Sequence, residues 1–444
     1  MSPETQLRRG LRTLAGEAPS VVVPADFFAG TRKRAKQRRA VRLVAVVVAL
    51  LTLGVGFAFR PGGTGPVAGG GHATTGLPRT LRVPPFWTGL VDQSPPGTAA
   101  AIFGGDATVD NWNEGRFAVV SATGDRYRVF NEFTYTGPGF DALLSPDGNL
   151  IARNRVVRSL QPEKPFSVVL PGDPRAFSPD GKLLVYETGD GTTFVDGASH
   201  RESRIGVFDL ERRTEVASID NADNLDPVAV ALSPDNTRLA VQVRDKIRIY
   251  RLDRPAPSPY AELQLDAETL AGPGAWRPDG RSFVTARRTA DNTWRLVPHD
   301  AETGAALAGS TLPDITQARY VHVIGWRADG TAVAVTGVPK PSAAPAELFG
   351  VHPWVPYVDS QTVRARLVSL TPGASAPAVL LETPPGVSEL DVAADLAIAG
   401  QFRDAGPPDY GPLAPAALAA AVVLAVLVVV LAPLVWLGLR RRRR

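Results

Sequence analysis

Chemistry in a protein chain starts from side chains that can hold a metal, attack a carbonyl or carry a proton. This chain spaces few of them productively. Cysteine is absent, which excludes thiol nucleophiles, zinc-thiolate sites and disulfides. The five histidines, His72, His200, His299, His322 and His352, are scattered, with none at metal-ligand spacing. His72 falls in a Gly-rich tether, and the other four are expected at the surface or in loops. No Gly-x-Ser-x-Gly elbow, phosphate-binding loop or dinucleotide fingerprint occurs. Acidic clusters stand at Asp220, Asp223 and Asp226 and at Asp106 and Asp110. Neither has the alternating ligands and glycine of a calcium loop, so both are expected as solvated loops or as a face for a basic partner. Among Trp87, Trp112, Trp276, Trp294, Trp326 and Trp354, the pair Trp276 and Trp326 recurs at one position of a repeat and reads as packing. Trp354 and Tyr357, in the insertion 339–358, are freer, with a loop covering one face as their expected role. No catalytic, cofactor-binding or metal-ligating residue is assigned.

The elements that would position any site come from that repeat. Ser-Pro-Asp-Gly occurs at Ser145–Gly148 and Ser178–Gly181, with variants at Ser233–Asn236, Arg277–Gly280 and Arg327–Gly330. Leu144, Phe177, Leu232, Trp276 and Trp326 precede the five copies. Proline presets φ in a turn, aspartate favours it, and glycine or asparagine takes the left-handed conformation that closes it. Apolar or alternating strands follow, such as 183–187, 238–243, 282–286 and 332–336, and then second strands at 204–210, 246–252 and 364–370. The pattern is hairpin after hairpin, without helical periodicity.

Two weaker copies bracket the five. Trp112–Gly115 precedes strands at 116–121 and 127–130, and 392–400 has the outline of a turn plus strand. Counting both gives seven units between Thr98 and Gly400, about 43 residues each, a length suited to four-stranded propeller blades. The units resemble the WD40-like (PD40, TolB-type) β-propeller repeat over about two thirds of the chain. The departures are Ala328 for proline, Asn236 for glycine and the eroded end units, which leave six to eight blades open. That repeat serves protein–protein scaffolds, periplasmic translocation components and the gating domains of prolyl oligopeptidase-like enzymes. The resemblance therefore implies a fold and leaves the function open. The arrangement is also similar to membrane-anchored propellers of high-GC bacteria, in keeping with 42 arginines among the 48 basic residues.

The net charge of +4 is unevenly placed. Residues 1–60 carry eleven basic and three acidic residues, and 440–444 are all arginine, leaving 32 basic against 41 acidic between them. An acidic centre argues against nucleic acid as a partner. Leu43–Phe59 is an uncharged run of 17 residues and Leu413–Leu439 one of 27, each flanked by arginine and lysine on one side only. These read as two transmembrane helices with both termini cytoplasmic, which makes the membrane a partner. Small faces at Gly54 and Gly56, and at Ala417, Ala421 and Ala425, would let the two pack together.

The expected layout is a basic cytoplasmic segment 1–42, a span 43–59, a Gly/Pro-rich linker and lead-in 60–97, the propeller 98–400, a linker 401–412, a span 413–439 and an Arg tail 440–444. The fold class is thus an all-β, seven-bladed propeller flanked by two transmembrane helices, in the cell membrane with the propeller outside. The expected function is a non-catalytic platform or sensor that binds a protein or envelope component on the propeller face. Two alternatives stand beside it. One is a hydrolase- or lyase-type enzyme whose site is built from loops at the axial face, with His200, His299, Asp220 and Asp223 converging. The other is a transmembrane signalling protein whose segment Leu7–Leu14, with apolar residues at helical spacing, meets a cytoplasmic partner. No cofactor is expected.

Overall fold

The computed structural model describes residues 75–412 apart from 86, 106–116, 131–136, 141, 190–192, 196–197, 201–202, 222–228, 244, 266–267, 309–310 and 342–360; residues 1–74 and 413–444 lie outside it. The chain divides into units 1–71 and 72–444, and the fold described belongs to the second.

Apolar strands separated by tight turns leave each hairpin with two faces to bury, and the hairpins do so by stacking as blades around an axis. Six such sheets occur among the described residues. Blade two runs outward from Ala142–Leu144 through Leu150–Arg153 and Val156–Ser159 to Ser167–Val169. Blade three uses Asp173–Phe177, Leu183–Gly189, Ser203–Asp209 and Thr214–Asn221, and blade four Ala229–Leu232, Arg238–Val243, Lys246–Arg251 and Pro259–Gln264. Blade five has Glu268–Leu270, Ser282–Ala290 and Thr293–Asp300, with Ile315 and Ala306 bridging its outer edge at Trp294 and His299. Blade six has Val321–Trp326, Ala332–Pro339, Thr362–Leu370 and Ala378–Glu382. Burial falls outward: every residue of Ala229–Leu232 is buried, whereas the outer Ser167–Val169 is largely exposed.

Blade one closes the ring. Its three outer strands, Ala99–Gly104, Phe117–Ser121 and Tyr127–Val129, come from the start of the domain, and its innermost strand, Glu389–Val392, comes from the end. The closing pair is antiparallel, with Ala101 opposite Val392 and Gly104 opposite Glu389. Leu77–Pro78 then pairs in parallel with Phe402–Arg403, so the two ends of the domain leave side by side.

The turn is built as its residues dictate. The glycine N–H at the fourth position donates to the first residue's carbonyl at 2.8 Å in Ser145–Gly148 and 2.9 Å in Ser178–Gly181. The fourth residue has positive φ in all five copies, including Asn236 at 58°. In the three serine copies the Oγ donates to the aspartate at 2.5–2.7 Å and accepts a backbone N–H from the next strand at 2.8–2.9 Å.

Two expectations are corrected. The blade count among the described residues is six, because Phe117–Ser121, Tyr127–Val129 and Glu389–Val392 are strands of one blade and not of two. The segment expected as a seventh turn and strand, 392–400, has no serine or proline and no glycine before Gly400, and it forms a helix, α1 (Ala394–Ile398). The two flanking transmembrane helices are not supported either. A span needs about 20 apolar helical residues, and among the described residues α1, with five, is the only helix; none is long and apolar enough to cross a membrane. Leu43–Phe59, Leu413–Leu439 and Leu7–Leu14 lie outside the described residues. The membrane as partner and the cell-membrane location rested on those two helices and are withdrawn with them.

Candidate functional site

Each turn joins the innermost strand of its blade to the second strand, so all five turns emerge on one face of the ring, together with α1. The long connections 105–116, 190–202 and 340–361 join second to third strands and therefore leave from the opposite face.

On the turn face a cavity of about 230 Å³ is lined by residues from all six blades, which places it on the ring axis. Pro146, Pro179, Pro234, Pro273 and Pro278 form much of its wall, with Leu144, Phe177, Leu232, Trp276 and Trp326 behind them. The two tryptophans are fixed from both sides. Trp276 Nε1 donates to the Ala231 carbonyl of blade four at 2.9 Å, and Trp326 Nε1 to the Gly274 carbonyl of blade five at 2.8 Å. Arg238 lies 5.2 Å over the Trp276 ring and Arg277 5.6 Å over Trp326. In blades five and six the tryptophan before the turn thus staples its blade to the one before it while lining the cavity.

Helix α1 borders the same cavity through Ala394, Asp395 and Ile398. Its first turn is held by Asp395 N–H on the Pro146 carbonyl at 3.0 Å, and its end by Arg327 Nη2 on the Ala397 carbonyl at 3.3 Å. Ile398 lies so close to Gly325 that a Cβ there would sit 2.4 Å from its Cδ1.

Polar chemistry in this wall is sparse. Ser178 lines it, but its hydroxyl is used within its own turn. Two ionisable groups remain, Asp391 and Asp395, and among the described residues no basic side chain lines the cavity. Asp391 Oδ2 accepts the Leu144 N–H at 2.8 Å and Oδ1 accepts the Val392 N–H at 2.9 Å. The surface it retains faces the cavity, and burial pushes its carboxyl up to about 7. Burial also raises Asp395, with the Asp147 carboxylate adding repulsion.

Asp391 and Asp395 were not among the residues singled out from sequence. The signal is visible once the strand is in register: Val392-Ala393-Ala394-Asp395 overlays Leu144-Ser145-Pro146-Asp147. Asp391 then stands where the other blades have Leu143, Ala176, Ala231, Ala275 and Gly325.

The other highlighted residues are not gathered here. His299, expected in a loop, is interior to blade five, where its Nε2 contacts Glu268 Oε2 at 2.9 Å and Thr285 Oγ1 at 3.1 Å and its Nδ1 contacts the Gly304 carbonyl at 3.2 Å. Burial opposes ionisation of Glu268, but hydrogen bonds from His299, Thr285 and Arg287 outweigh it and hold its carboxyl below the usual range. Glu268, Thr285 and His299 are all buried within the blade, so this cluster fastens its strands. His322 packs 5.6 Å from Phe140, and burial pushes its imidazole down to about 4, leaving it neutral. His200 ends the short hairpin Thr193–Val195 and Ala198–His200, and Asp220 is exposed on the outer strand of blade three. Trp294 is buried, its Nε1 donating to the Ala318 carbonyl at 2.8 Å. His72, His352, Asp106, Asp110, Asp223, Asp226, Trp112, Trp354 and Tyr357 lie outside the described residues. Among the described residues no group of three or more histidine, aspartate and glutamate side chains could hold a metal.

No family model matches the chain, and no curated protein matches it. Similar solved structures include TolB from Acinetobacter baumannii, at 16% identity over 66% of this chain and 66% of that one, with a TM-score of 0.37. An assigned TolB from Agrobacterium tumefaciens is similar at 16% identity over 65% of this chain and 90% of that one, TM-score 0.34. The hydrazine synthase of Kuenenia stuttgartiensis is similar at 16% identity over 52% and 62%, TM-score 0.33. This chain spans less than two thirds of the hydrazine synthase and of the Acinetobacter TolB. Likeness of this degree carries no argument about activity. The assignment as a β-propeller rests on the strand order and the ring closure.

Proposed function

We propose that the protein is a non-catalytic protein-binding platform that receives its partner on the turn face of the propeller. The observation that carries this reading is the axial cavity, to which all six blades contribute and whose rim is proline, tryptophan and leucine. Rigid apolar and aromatic anchors around a concave centre are what a protein partner's buried contact residues need. The tryptophans hold their shape through the staples to neighbouring blades, so little ordering entropy is lost on binding.

Site-specific photocrosslinking in cells tests it. A benzophenone side chain at Lys182, exposed beside a turn, is expected to capture a partner. The same group at Val169, on the outer edge of blade two, is expected to capture none. Adducts formed only from Lys340, where the connection 340–361 leaves the opposite face, would move the binding surface to that face and overturn the reading.

A further inference from the structure

The cavity breaks the symmetry of the ring in one respect. Five blades bring small or apolar residues to the position two before the turn's leading residue, and the closing strand brings Asp391. A carboxylate in an apolar wall is costly unless its charge is met. Among the described residues its two partners are backbone N–H groups, and no basic side chain lines the cavity. The neighbouring strands Ala142–Leu144 and Ala99–Gly104 contain no charged residue, Arg364 and Arg366 of the adjoining Thr362–Leu370 are both paired with Glu382, and the acidic groups Glu389 on the same strand and Asp395 in the wall are of the same sign. His322, on the inner strand of blade six, packs against Phe140 and is neutral.

We propose that the axial cavity is a cation site that takes a lysine side chain of the protein partner, its apolar stem against the proline and tryptophan wall and its ammonium on Asp391. An ammonium suits the site better than a guanidinium. Each Asp391 oxygen accepts one backbone N–H and keeps a lone pair, and a compact ammonium on a slender four-carbon stem needs only one such acceptor, whereas a guanidinium must bring its whole planar fork into the wall. The volume of about 230 Å³ admits a four-carbon stem and excludes a folded segment. The inference rests on the turn face being the binding face, and it adds the chemistry that this face selects.

The test uses the full-length chain and n-butylammonium, the lysine side chain's own analogue, with 1-butanol as the neutral control of the same shape. Trp276 and Trp326 line the cavity, so their fluorescence reports occupancy. Butylammonium is expected to bind about tenfold or more tighter than butanol, the worth of one charge-assisted hydrogen bond. Because Asp391 must be ionised, that affinity is expected to rise about tenfold between pH 6 and pH 8. Asp391→Asn is expected to abolish the preference for the cation. Equal binding of the two probes, or binding of neither, overturns the proposal, and that comparison needs only the native chain if the variant fails to fold. Tighter binding of n-propylguanidinium than of butylammonium overturns it as well. Crosslinks at Lys182 with no butylammonium binding would sink the cation site and leave the platform standing. Butylammonium binding with crosslinks only at Lys340 would overturn the platform on this face and with it the partner's lysine, leaving only a cation-binding cavity.

Discussion

At the scale of single residues, half-buried Asp391 and buried Glu268 are carboxylates with opposite consequences. Asp391 has amide donors but no cation, and burial raises it to about 7. The folded state therefore holds a proton that the unfolded chain gives up, and stability falls as pH rises from about 4 to about 7. Glu268 is lowered by His299, Thr285 and Arg287, so its contribution is present above its unfolded pKa and is lost as pH falls through the folded one. The windows lie on either side of about pH 4 and can be separated. The neutral His322 works the other way between about pH 4 and pH 6.5, so the comparison is between chains: relative to the native chain, Asp391→Asn is expected to lose urea midpoint at pH 5 compared with pH 8. An equal change at both pH values would show that another group carries the dependence.

At the scale of the element, the repeated turn tolerates change according to what lies beside it. Gly148 and Gly181 share the fourth position and a positive φ, 74° and 71°. A Cβ at Gly148 would meet the Ala99 carbonyl oxygen at 2.1 Å, whereas at Gly181 the nearest atom is Pro146 Cδ at 3.6 Å. Gly181→Ala is expected to cost about 1 kcal/mol, the left-handed penalty alone. Gly148→Ala adds a backbone clash between blade two and the first strand of the domain's blade one and is expected to cost about 3 kcal/mol. Equal losses in thermal unfolding would mean that the closing blade yields at no cost. The turn itself was legible in the sequence, since its proline, aspartate and glycine act within four residues. The blade count was not. The pairing of Glu389–Val392 with Ala99–Gly104 joins opposite ends of the domain, so one blade reads as two eroded units.

At the scale of the whole molecule, the ring is held shut by Arg403. Its guanidinium is buried and donates to the carbonyls of Gly76, Ser121, Ala122 and Gly124 at 2.8–3.3 Å and to Asp125 Oδ1 at 2.8 Å. One side chain from the last strand thereby ties together the first strand, blade one and the turn that follows Ser121. Arg403→Met leaves Asp125 buried without its counter-ion and is expected to cost about 3–5 kcal/mol. Arg403→Met combined with Asp125→Leu is expected to recover part of that loss, measured as the urea midpoint. No recovery in the double variant would mean that the carbonyl contacts, and not the ion pair, set the cost.

The sequence by itself determined the hairpin chemistry, the strands that follow each turn and the propeller class, because those depend on residues a few positions apart. It also marked Trp276 and Trp326 as packing residues, though not that the same rings would face an axial cavity. Tertiary structure alone decided the six-bladed count, the burial of His299 and His322, and the place of Asp391. Each depends on which distant strand lies alongside. Asp391 looks like any aspartate in a strand until the ring closes and sets it in the apolar wall that the other five blades supply.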